Sequence, residues 1–153
     1  KKTCDEGQAP YAIIITCSDS RVIPESIFSA GIGELFVIRV AGNVIDKHQL
    51  GSIEYAAGHL SSALVVVLWH SHGGAVGAAI NSEPSGFVKT ITDEIRKAIG
   101  DEKDETRASC LNVKQSVSVI EDSLDIQELK AQGGLKVCGA FYHIDSGKVE
   151  FLD

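Results

Sequence analysis

Two short polar words in this 153-residue chain carry the residue types of metal and acid–base chemistry. "TCSDSR" sets Cys17, Asp19 and Arg21 at alternate positions, and "WHSHGG" sets His70 and His72 around Ser71, just before Gly73 and Gly74. A thiolate, a carboxylate and an imidazole are ligand types of zinc. Each element also has an ordinary structural use. A cysteine that follows a buried strand is commonly a small core residue. An Asp-x-Arg pair closes a local ion pair or a turn, and two histidines one residue apart can be one satisfied and one solvated. Spacing alone leaves both readings open.

Chemistry at these words needs elements that bring them together. Three apolar runs rich in β-branched residues, "YAIIIT" (11–16), "LFVIRV" (35–40) and "ALVVVLW" (63–69), suit strands buried on both faces. "PESIFSAG" and "GSIEYAAGHL" between them have helical character. "SGFVKTITDEIRKAIG" puts Val88, Ile91, Ile95 and Ile99 on one helical stripe, with Ser85 as N-cap and Gly100 as stop. "NVKQSVSVIEDSLDIQELKAQGG" continues that pattern through Val113, Val117, Ile120 and Leu124 to Gly133-Gly134. "LKVCGAFYHIDSGKVEFL" reads as a hairpin turning at Asp145-Ser146-Gly147. The expected fold class is α/β, a mostly parallel sheet flanked by helices with a C-terminal hairpin, as one domain over residues 1–153. Ligands of such sheets gather beyond the carboxyl ends of the strands. Both polar words fall there.

Composition narrows the partners. A net charge of −7 with no Lys/Arg cluster argues against nucleic acid. No apolar run approaches the roughly 20 residues of a membrane span. The chain opens without a signal-like apolar segment. Cys4, Cys17, Cys110 and Cys138 are irregularly spaced and form no CxxC pair. A reducing cytoplasm is the expected location.

"CSDSRVIPESIF", "GELFVIRVAGN", "SIEYAAGHL", "VVVLWHSHGGAVGAA" and the closing "GAFYHIDSGKVEFL" resemble the β-class carbonic anhydrases in order and wording. The resemblance covers nearly the whole chain, lacking the N-terminal helical arm usual in that family. It implies a Zn²⁺ site and the reversible hydration of CO₂ to bicarbonate by zinc-bound hydroxide. The implied metal positions are Cys17, His70 and residue 73. Asp19 and Arg21 would form the catalytic dyad, with Asp19 able to ligate zinc itself in a closed state. Gln8, nine residues before Cys17, and the apolar Phe36 and Tyr55 would contact substrate. The segment Arg39–Asn43 would pack beside the site. A homodimer, or a higher oligomer built from dimers, is implied, with pockets at the subunit boundary.

One word departs from the family. It reads Gly-His-x-x-Cys-Gly there and Trp69-His70-Ser71-His72-Gly73-Gly74 here. Glycine cannot ligate, so the Cys-His-Cys set cannot form, and two protein ligands fall short of the three of a catalytic zinc site. Asp19 could complete a Cys17-Asp19-His70 set, His72 could swing in, or an exogenous water or anion could fill the gap. His72 is expected to be a solvent-facing bystander. Trp69 is expected to displace the strand end or intrude on the pocket unless its neighbours have shrunk, at a cost of about 1–3 kcal/mol. Gly73→Cys is expected to tighten zinc binding. The expected function is carbonate dehydratase chemistry with an impaired metal site. The alternative is a catalytically inactive binding or scaffold subunit, metal-free or with zinc locked by Asp19. A hydrolase of a CO₂ analogue such as carbonyl sulfide is a third reading, which needs the same metal.

Overall fold

The computed structural model describes residues 2–152; Lys1 and Asp153, the ends of the expected span, lie outside the described residues. Five strands form one sheet in the order β2-β1-β3-β4-β5: β1 (Ala12–Thr16), β2 (Leu35–Arg39), β3 (Leu64–His70), β4 (Lys136–His143) and β5 (Lys148–Leu152). The first four are parallel, and β5 returns antiparallel on β4 through the predicted turn. The helices are α1 (Lys2–Glu6), α2 (Pro24–Ile27), α3 (Lys47–His59), α4 (Gly74–Asn81), α5 (Gly86–Ile99), α6 (Glu105–Glu121) and α7 (Leu124–Ala131). A short 3₁₀ turn spans Ala41–Asn43.

Every position of β1 and all but the first of β3 are buried, which is why these runs read as continuous apolar stretches. On one face Ile13, Ile15, Val65, Val67 and Trp69 pack against Ile53 of α3, Val76 of α4, Ile95 of α5, Val113 of α6 and Ile126 of α7. On the other, Ile14, Val66 and Leu68 meet Ile27 and Phe28 at the end of α2. The helical cover is therefore lopsided.

Some helical expectations are corrected. The stretch 112–134 is two helices, broken at Asp122-Ser123, where Ser123 caps α7 by accepting from the Ile126 N–H. Leu124 opens α7 and is exposed rather than continuing the buried stripe. Val88 is likewise exposed, and the buried positions of α5 are Thr92, Ile95 and Ile99. Ser85 does occupy the N-cap of α5, but its side chain makes no capping hydrogen bond.

β1 is flanked by β2 on one side and β3 on the other, so the connections leaving β1 and β3 diverge. Such a divergence opens a crevice at the carboxyl edge. Cys17–Arg21 leaves β1 there, and Ser71–Gly73 leaves β3 beside it.

Candidate functional site

The two words are tied together before they diverge. The Thr16 hydroxyl donates to the Leu68 carbonyl at 2.8 Å, fixing the ends of β1 and β3. Cys17 follows, buried in the larger core. Asp19 then folds back on Arg21: Oδ1 accepts from the Arg21 backbone N–H and from Nε, each at 2.9 Å, and Oδ2 accepts from Nη2 at 2.7 Å. Spacing of two residues is what allows an aspartate to bind the backbone N–H ahead of it. This bidentate fork holds the Asp19 carboxyl well below the usual carboxylate range, through the Arg21 side chain first. Arg21 Nη2 also donates to the His72 carbonyl at 3.0 Å, linking the dyad to the histidine loop.

Arg39, at the end of β2, clamps the dyad loop from behind. Its Nε donates to the Cys17 carbonyl at 3.0 Å and its Nη2 to the Asp19 carbonyl at 2.6 Å. The expectation that Arg39–Asn43 packs beside the site thus takes a specific form. Gly42 sits at φ 73°, and a Cβ there would lie 3.0–3.2 Å from Ile95, Ala75 and Ile91, so both conformation and space call for glycine. Its carbonyl accepts from the Asn112 amide at 2.9 Å.

His70 ends β3 fully buried. Its Nδ1 donates to the Ser71 carbonyl at 2.9 Å, which leaves Nε2 as the lone-pair nitrogen, the tautomer a metal ligand needs. Nε2 is buried without a hydrogen bond of ordinary geometry and lies 3.8 Å from Asp19 Oδ2. Burial pushes the Cys17 thiol up, but the neighbouring His70 imidazole and the backbone N–H groups of Gly42 and Asp19 outweigh it, leaving the thiol below its ordinary value. Burial likewise pushes His70 down, and Cys17, the Ser71 carbonyl and Asp19 together raise it above its ordinary value. Ser71 is held by β4: its N–H donates to the Tyr142 carbonyl, and its hydroxyl accepts from the Ile144 N–H, each at 3.0 Å. His72 has an exposed side chain and a left-handed φ of 56°. Only its carbonyl joins the site.

Of the two outcomes expected of Trp69, the strand is not displaced, and the indole intrudes beside residue 73. β3 stays in register with β4 through Trp69↔Phe141 and His70↔Tyr142. The indole is fully buried and stacked on the His70 ring, with centroids 4.6 Å apart. Its Cζ2 edge abuts Gly73: a Cβ at residue 73 would clash with that edge, 2.8 Å from Cε2 and Cη2 and closer still to Cζ2. The room beside Trp69 is left by the absent side chain of Gly73. The indole Nε1 is buried without a hydrogen-bond partner.

Zinc is the group this donor pattern brings to mind, and the residues present do not fit its catalytic form. Cys17 and the orphaned His70 Nε2 are two suitable donors. Asp19 turns both oxygens to Arg21, and the third position expected from the sequence is a glycine against the indole edge. Among the described residues, no group of three His, Cys, Asp or Glu side chains is arranged to hold a metal ion.

The remaining site residues expected from the sequence are not brought to this edge by the chain itself. Gln8 is exposed and precedes the amino end of β1. Phe36 is registered with Ile13, about 13 Å along the strand from Cys17 at the usual rise of about 3.3 Å per residue. Tyr55 stands against Phe36, ring centroids 6.3 Å apart. Sequence reasoning missed Thr16 and Ser71 as positioning residues; a hydroxyl directly beside Cys17 and another beside His70 were the available signal.

Comparison with known proteins points one way. The carbonic anhydrase family profile matches residues 12–149. Carbonic anhydrase 2 of Mycobacterium tuberculosis is 37% identical over 96% of this chain and 76% of its own length. The carbonic anhydrase of Mycolicibacterium smegmatis is 39% identical over 95% of this chain and 76% of its own length. Among solved structures, one of the tetrameric β-carbonic anhydrases of Sordaria macrospora superposes with a TM-score of 0.86 at 32% identity, covering 95% of this chain and 82% of that one. The β-carbonic anhydrase CafA of Aspergillus fumigatus gives 0.91 at 29% identity, covering 99% and 79%.

Proposed function

The chain belongs to the β-carbonic anhydrase family, and on that premise we propose that its site is built for the reversible hydration of CO₂ to bicarbonate, with its catalytic dyad intact and its zinc corner disabled. The observation that carries this reading is the indole of Trp69 lying where a side chain at residue 73 would stand. Asp19 is held in one orientation by Arg21, with part of its surface open to solvent, ready to accept a hydrogen bond from a reacting oxygen and orient it. Arg21 and Arg39 fix that orientation from two sides. Zinc, when bound in the family, supplies a hydroxide at neutral pH; this chain's two free donors support at most weak retention of it.

The same plugged corner favours a second reading, a binding or scaffold subunit that keeps the fold without the catalysis. Gln8, Phe36 and Tyr55 support an assembled protein, since they could line a site only from a second subunit. The sheet face covered by α2 alone supports the same conclusion. A cytoplasmic setting suits the four free thiols.

Zinc content and CO₂ hydration, measured together on protein loaded with Zn²⁺ and desalted, test the proposal. Well under one equivalent per chain, with hydration far below that of a relative carrying cysteine at this position, is the expected result. One tightly held equivalent would overturn the disabled-corner reading. Hydration above the buffer rate that is lost in Asp19→Asn separates an impaired enzyme from a scaffold.

A further inference from the structure

The disabled corner has a cause beyond the missing thiol. We propose that Trp69 and Gly73 are a coupled pair, in which the indole has taken over the volume of the residue-73 side chain and seals the metal corner against any ligand there. This rests on the family reading of residue 73 and goes beyond it, because it assigns the block to Trp69 rather than to Gly73 alone. Three observations support it. The indole atoms Cε2, Cζ2 and Cη2 lie too close to admit a Cβ on Gly73, the first and last at 2.8 Å and Cζ2 closer still. The ring is fully buried and stacked on His70, the one imidazole whose free nitrogen faces the site. Strand β3 keeps its register through Trp69, so the backbone has not yielded to make room.

The plug also changes what a single restoring substitution can do. Adding a side chain at residue 73 forces a collision with ring atoms of a packed, fully buried residue, which has no flexible end to move aside. On this proposal Gly73→Cys alone does not tighten zinc binding, in contrast to the expectation from sequence. The two positions must revert together.

The experiment compares zinc affinity in the wild type, Gly73→Cys, Trp69→Gly and the double variant Trp69→Gly/Gly73→Cys, by competition with a chromophoric chelator. Co²⁺ loading reports thiolate ligation by its charge-transfer absorption, a readout independent of activity. Deleting even an outer-sphere partner of a metal ligand typically weakens binding about 10–100-fold, so the double variant should bind zinc at least about 100-fold more tightly than the wild type. Gly73→Cys alone should gain no affinity and should unfold at lower temperature than the wild type. A full equivalent of tightly bound zinc in Gly73→Cys overturns the plug.

Trp69→Ala provides a second arm that needs no new ligand in the chain. A cleft of about 290 Å³ lined by His72, Gly73, Val76 and Phe141 borders Gly73, and removing the indole is expected to extend it toward His70. Added 2-mercaptoethanol should raise the cobalt–thiolate band in Trp69→Ala and leave the wild type unchanged. An equal response in both proteins sinks the proposal. A double variant that folds without gaining metal also sinks it, and leaves the reading of the wild-type corner standing. A full equivalent in the wild type sinks that reading instead.

Discussion

Trp69 meets opposing demands at the scale of one residue. Its indole buries a large apolar area and stacks on His70, while its N–H is stranded without an acceptor. An unmade hydrogen bond of this kind costs about 1–3 kcal/mol, against about 3–5 kcal/mol for truncating a buried Trp or Phe to alanine. Packing wins on balance, and Trp69→Ala should lower stability by a net amount of about 2 kcal/mol, read as a lower urea midpoint with an unchanged denaturant slope. A midpoint equal to the wild type's would mean that the indole is not packed as the structure has it. Cys17, Asp19, Arg21 and His70 were legible in the sequence because each lies in a contiguous word at a strand end. The accommodation of Trp69 was not, because it depends on which side chain the turn after β3 folds over. In the sequence Gly73 stands only where the family resemblance expects a ligand; in space it becomes the room for an indole.

At the scale of elements, β1 and β3 were legible as uninterrupted apolar runs, since burial on both faces erases any alternation. Helix α4 escaped notice because "GAVGAAIN" is built of small residues with an internal glycine, and it carries no polar stripe to mark a period. The break between α6 and α7 was missed for a different reason. Ser123 reads as an ordinary surface residue in the run, yet it accepts from the Ile126 N–H and donates to Glu54 Oε1 at 2.7 Å, so it both starts α7 and ties it to α3. Loss of an N-cap hydroxyl typically costs about 0.5–2 kcal/mol. Ser123→Ala should fall in that range by chemical denaturation, and amide exchange should quicken first in α7. Uniform loss of protection across the sheet would show that the cap is not a local device.

For the molecule as a whole, helices α3–α7 crowd one face of the sheet while α2 alone serves the other. No helix among the described residues is long and apolar enough to cross a membrane. Tyr11, Ile32, Tyr55, Phe87 and Phe151 remain exposed, and scattered exposure of this kind gains meaning only with the lopsided cover. Light scattering on the eluting protein should give a mass that is an even multiple of the 16.3 kDa chain. A monomer at micromolar concentration would remove the route by which Gln8, Phe36 and Tyr55 could reach a site. This level was the least legible in the sequence, because an interface between copies leaves no period or word along a single chain.

Trp69 is also the chain's single tryptophan. The protein consequently carries its own optical label at the metal corner, with the chromophore stacked on His70 and set over Gly73. Intrinsic emission excited on the red edge of indole absorption reports this one spot and nothing else. Any ligand, oxidant or heavy ion that reaches Cys17 or His70 should register as a change in that emission before it alters the bulk of the fold.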